Sequence, residues 1–149
     1  MWDDFDENDW DESDEAEFLR KKENSHPLML KCVDILKLTR AIAGSLDEAR
    51  NQLYGSLMIK SAKSLVSKFL EANADDNYIV KMENAVHMKS HVRSLHEMTY
   101  QLAFESTHAE EHLQLLRDAI GEFKKLFVDW LATFDKEKRE KDGWGLFED

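Results

Sequence analysis

Apolar residues recur along this chain at spacings of three and four, as they do in helices with one buried side. Pro27 suits the first turn of a helix, where its missing N–H costs nothing. After it, Leu28, Met29, Cys32, Val33, Ile35, Leu36, Thr39, Ile42 and Ala43 form a broad apolar side, with Lys31, Asp34, Lys37 and Ser45 opposite. This predicts a first helix over residues 27–43, broken at Gly44-Ser45. A second helix starts near Asp47 or Glu48 and carries Tyr54, Met58, Ala62, Leu65, Phe69 and Ala72 on one stripe. Residues 73–77 read as a turn, with Asp75 or Asp76 as the next helix cap. A third helix over 77–105 aligns Met82, Ala85, Met88, Val92, Leu95, Thr99 and Leu102. Ser106-Thr107 predicts a cap for the fourth, with Glu110 and Glu111 behind it. There Leu113, Leu116, Ile120, Phe123, Phe127, Trp130 and Phe134 alternate steps of three and four, an a/d seam that runs out into the charged residues 136–141.

Four helices with short connections predict an all-α fold, an antiparallel up-down-up-down four-helix bundle over residues 25–141. An arm over 1–24 precedes it and a loose tail over 142–149 follows. The 149 residues suffice for one domain with a sizeable core. One Pro and five Gly are too few for an all-β sandwich or a Gly-looped nucleotide fold. A single Cys excludes a disulfide framework and a Cys-based zinc site within one chain. No apolar run approaches eighteen residues, and the chain starts acidic, so the reading is a soluble, cytoplasmic protein without a membrane span or secretory signal.

Charge changes the picture at one end. Residues 1–17 hold ten acidic groups and no Lys or Arg; the remainder has 21 acids against 20 bases, nearly neutral. The acidic arm also carries Trp2, Phe5, Trp10 and Phe18. Dense like charge predicts disorder in the isolated chain. Acid interleaved with aromatics is also a composition of docking segments, with Trp2, Phe5 and Trp10 as anchors for a basic groove on a partner or on the chain's own body.

Candidate chemistry is sparse. His87 and His91 stand at i, i+4 and can present two nitrogens from one helix face to a metal ion, with Glu83 one turn back. His108 and His112 repeat the spacing beside Glu111. Bundle metal sites project inward, however, and His87 falls on the polar side of its helix, so solvated histidines are the simpler reading. There is no phosphate loop, Ser elbow or inward carboxylate pair, no cofactor is expected, and Cys32 reads as a small core residue. A local basic patch of Lys60, Lys63 and Lys68 with Lys81, Lys89 and Arg93 offers phosphate contacts for a nucleic acid. An ordinary mixed surface accounts for the same residues.

Lys37-Leu38-Thr39 on the first helix, together with the run from Lys60 to Ala72, resembles the small four-helix-bundle proteins encoded in 23S rRNA intervening sequences, which are related to the accessory bundle proteins of diversity-generating retroelements. That family's second helix reads R-A-A-x-S-I-P-S-N-I-A-E-G, and Ala62, Ser64, Ser67 and Glu71 match it in place. Val66, Lys68 and Ala72 stand where the family has Pro, Asn and Gly. The resemblance covers residues 28–134. It implies an antiparallel bundle that assembles as a homopentamer and contacts nucleic acid or a reverse transcriptase. The expected function is a non-enzymatic, oligomeric interaction protein. The alternatives are a nucleic-acid-binding adaptor regulated by the acidic arm, and a metal-binding bundle.

Overall fold

The computed structural model describes residues 26–149. The reading of residues 1–24 as a disordered docking arm lies outside the described residues. Those described are all-α, with four long helices and no strand: α1 (Pro27–Gly44), α2 (Ser56–Asn73), α3 (Tyr78–Phe104) and α4 (Glu110–Leu131). Each packs on two others, α1 on α2 and α4, and α3 on α2 and α4. One core fills the middle, built from the stripes that the spacing marks: Leu28, Cys32 and Leu36 of α1, Leu65 and Phe69 of α2, Met88 and Leu95 of α3, and Leu113, Leu116 and Ile120 of α4.

The helix ends follow local chemistry, and several differ from the pattern reading. His26 caps α1, its Nδ1 accepting from the Leu28 amide at 3.0 Å, which requires the neutral ring. Burial beside Phe69, 5.2 Å between ring centroids, lowers the His26 pKa and favours that form. Asp47 caps the next segment, accepting from the Arg50 amide at 2.9 Å. That segment is not regular. A short α turn Glu48–Arg50 leads into a π-helical stretch Asn51–Gly55 before α2. Gly55 is buried there, and a Cβ on it would meet the Asn51 side chain at 3.1 Å. Asn51 is itself held by donating to the Ala43 carbonyl at 3.0 Å. The wide turn therefore has a glycine where a Cβ would sit tight against Asn51.

Neither Asp75 nor Asp76 caps α3. Asn77 does, its Oδ1 accepting from the Ile79 amide at 3.0 Å, while Asp75 accepts from the Asn77 amide at 2.8 Å. Asn77 wins because its carbonyl and amide serve two segments. It also accepts from the Glu140 amide and donates to the Glu140 carbonyl. The Tyr78 amide, a further orphan of the first turn, donates to the Lys138 carbonyl at 2.8 Å.

Ser106-Thr107 does not cap α4 either. It closes α3. The Ser106 amide bonds the Ala103 carbonyl and the Thr107 amide the Leu102 carbonyl, with Ser106 left-handed at φ 56°, the Schellman pattern that usually employs Gly. Ala109 occupies the cap position of α4 without a side-chain bond, and Glu110 and Glu111 complement the helix dipole instead. The fourth helix ends at Leu131, so Phe134 lies beyond it. A turn returns Phe134 to the seam, where its ring meets Trp130 at 4.7 Å and Tyr78 at 6.5 Å. Residues 142–149 carry no helix, and Trp144 is exposed.

Candidate functional site

The densest polar arrangement lies where the π-helical stretch meets the end of α3. Asp47 and Glu105 hold Arg50 between them: its Nη1 reaches Asp47 Oδ2 at 2.6 Å, and its Nε donates to Glu105 Oε1 at 2.7 Å. The other oxygen of Glu105 accepts from the Tyr54 hydroxyl at 2.6 Å and from Gln101 Nε2 at 2.5 Å. With Arg50, Tyr54 and Gln101 all stabilising the anion, the Glu105 carboxyl is held down to about 2, and the Tyr54 phenol is pushed up by the same bond. Arg50 and Tyr54 can both reach Glu105 because the wide turn and the last turn of α3 lie at one level.

Exposed apolar side chains flank the clasp residues along the chain. Leu53 precedes Tyr54 and Leu57 follows it one turn on, while Phe104 precedes Glu105 and Tyr100 stands one turn back on α3. Leu53 is 60% exposed, Leu57 62% and Phe104 86%; among the described residues Leu30, Val86, Leu115, Val128, Trp144 and Leu146 are exposed as well. Periodicity reading passes over these residues because they fall off the core stripes. The available signal was that each is a large apolar residue at a position the pattern assigns to solvent.

A second polar cluster sits between α3 and α4. Arg117 is buried, its Nε donating to Thr99 Oγ1 at 2.9 Å and its Nη2 to the Thr99 carbonyl at 3.3 Å. Nη1 bonds Gln114 at 3.2 Å and also Glu110, and the guanidinium lies over the Tyr100 ring at 4.2 Å. This is a structural tie between the helices, with a cation–π contact added.

The proposed nucleic-acid residues divide. Lys60, on α2, and Lys89 and Arg93, on α3, are exposed, and Lys63 is half-buried on α2. Lys68 pairs with Glu71 at 3.2 Å. Lys81 donates to the Ala72 carbonyl at 2.8 Å and lies 5.4 Å over the Phe134 ring, with burial lowering its pKa. It ties the end of α2 to the start of α3, so its cation serves the fold. His87 is exposed and His91 half-buried. His108 is engaged on both ring nitrogens: Nε2 lies 2.8 Å from Ser45 Oγ and 3.1 Å from the Ile42 carbonyl, and Nδ1 lies 2.7 Å from Thr107 Oγ1. His112 is exposed. No group of three His, Cys, Asp or Glu side chains suited to a metal ion occurs among the described residues. Cys32 is fully buried, and burial pushes its thiol far up, away from thiolate chemistry. No described helix is long and apolar enough to cross a membrane. Trp2, Phe5 and Trp10 lie outside the described residues. Comparison with protein-family models, with curated proteins and with solved structures finds no match to this chain.

Proposed function

We propose that this protein is a non-enzymatic interaction module, an antiparallel up-down-up-down helical bundle that associates with further copies of itself through the apolar group beside the Glu105 clasp. The antiparallel arrangement is supported by contacts that join the beginning of one helix region to the end of a neighbouring one. His26 meets Phe69, Tyr54 meets Glu105, Lys81 meets Ala72 and Thr99 meets Arg117. The observation that carries the functional reading is the exposure of Leu53, Leu57 and Phe104, which flank Tyr54 and Glu105 in sequence. Covering a large apolar side chain stabilises an assembly by about 1.5–3 kcal/mol when burial is complete. Aromatic and Arg side chains held rigidly before contact are what binding hot spots use, since little entropy is then lost on association. The resemblance to the intervening-sequence proteins implies five copies.

The test is substitution at the group. Phe104→Glu and Leu57→Glu are expected to retain the helical circular dichroism of the wild type while reducing the particle mass measured by light scattering. An assembly whose mass is unchanged by both would remove this surface from the interface.

A nucleic-acid adaptor is the second reading, favoured by the exposure of Lys60, Lys89 and Arg93. It requires binding that weakens steeply with salt. Charge reversal of these three residues should abolish such binding. Binding that survives reversal, or is insensitive to salt, would contradict the adaptor reading.

A further inference from the structure

The outer side of α2 is covered where a helix at the corner of a bundle should meet water. The core stripe of α2 runs through Met58, Ala62, Leu65, Phe69 and Ala72, all buried. Ser67 stands two residues from both Leu65 and Phe69, about 200° around the helix from each at 100° per residue. Its position is outward, yet it is only 5% exposed. Ser64, Val66 and Leu70 are buried as well, so between Ser64 and Leu70 only Lys68 is partly open to solvent. A partly polar helix of a bundle normally keeps one side in solvent. The helices packed on α2 are α1 and α3, which flank it. The bonds of the segment that follows α4 go to Asn77 and Tyr78, at the start of α3.

The same side carries lysines before Ser67, with Glu71 one turn after it and paired to Lys68. Lys63 lies one turn before Ser67 and is half-buried, and Lys60 lies a further turn back and is exposed. Arg40 is half-buried on α1. None of Arg40, Lys63, Ser64 and Ser67 is without a partner in the molecule.

We propose that the acidic aromatic segment 1–25 of the same chain seats along this outer side of α2. Three features select that occupant. Its last residue joins His26, whose ring lies 5.2 Å from that of Phe69, so the segment leaves the described fold beside the covered part of α2. Its length is ample. From Phe69 back to Lys60 is about 14 Å along a helix, and 25 residues span more than that even when fully helical. Its charge is complementary, with ten carboxylates and no Lys or Arg in residues 1–17 facing Lys60, Lys63 and Arg40, and with Trp2, Phe5, Trp10 and Phe18 available to cover apolar surface beside Leu70. The segment thus occupies part of the basic surface that an external polyanion would need, and an acidic partner of the body must displace it. This goes beyond the association surface at Leu57 and Phe104 and does not depend on it.

The test uses the full chain with a reporter thiol. Ser67→Cys places a small thiol at the covered position, and the native Cys32 is buried and silent. A second full-chain variant, Lys124→Cys, carries an exposed control thiol on α4. With Ellman's reagent, Ser67→Cys is expected to react at least tenfold more slowly than Lys124→Cys. Adding Trp2→Ala, Phe5→Ala and Trp10→Ala to Ser67→Cys should bring its rate close to the control while circular dichroism is unchanged. A Ser67→Cys thiol that reacts as fast as the control, or one whose protection ignores the arm substitutions, would overturn the proposal. Carbodiimide cross-linking of the unaltered chain gives an independent reading. An equal mixture of isotopically light and heavy protein should link carboxylates of 1–17 to Lys60 or Lys63 within one chain. Links absent, or found only between chains, would overturn it too.

Discussion

Thr39 on α1 and Thr99 on α3 are both fully buried, and both fall on the apolar stripes of their helices. Their hydroxyls differ in what they meet. Thr99 Oγ1 donates to the His96 carbonyl at 2.7 Å and accepts from Arg117 Nε. Thr39 Oγ1 finds no hydrogen-bond partner among the described residues. Replacing an unsatisfied buried hydroxyl by a methyl removes a desolvation cost, whereas removing the acceptor of a buried cation creates one. Thr39→Val is therefore expected to raise unfolding stability by about 1 kcal/mol, and Thr99→Val to lower it by about 1–3 kcal/mol. Urea denaturation midpoints check both, and two shifts of the same sign would contradict the assignment. The sequence shows each Thr on its stripe. It does not distinguish them, because the partner that separates them is Arg117, eighteen residues away and brought near only by the packing of α4 on α3.

Among the elements, the stripes of α1, α3 and α4 were legible because apolar spacing records burial directly. The ends were less so. Ser106 reads as an N-cap because Ser is among the best of those, yet it serves as the left-handed residue closing α3. Tertiary placement of Leu102 and Ala103 decides that, and a local pattern cannot see it. The non-Gly residue in that conformation carries steric strain, so Ser106→Gly should stabilise the protein by about 0.5–1 kcal/mol, visible as a higher thermal midpoint. A lower midpoint would mean the Ser side chain is required at the turn. The π-helical stretch was likewise hidden, since it only shifts the register before Met58. It carries Tyr54, one of the partners of Glu105. Because Glu105 has its pKa depressed in the fold, its contribution is complete above the ordinary carboxylate range near 4.5 and is lost as pH falls toward about 2. Wild-type stability should fall through that interval, and Glu105→Gln should show a shallower acid slope. Identical acid slopes would deny the clasp its role.

At the scale of the whole molecule, charge and hydropathy are divided among regions. The acids gather at residues 1–17, and Leu53, Leu57 and Phe104, beside the clasp residues in sequence, are among the exposed large apolar side chains. The first asymmetry is plain in the sequence. The second is not, since the segment carrying Leu53 and Leu57 is joined to the end of α3 only through the bonds of Arg50 and Tyr54 to Glu105. The central claim is that this exposed group is an association surface. Sedimentation velocity of the full chain across a concentration range reaching tens of micromolar tests it most directly. The account predicts one discrete species heavier than a 17.4 kDa chain, five copies if the implied assembly holds. A single monomeric species throughout that range would contradict it.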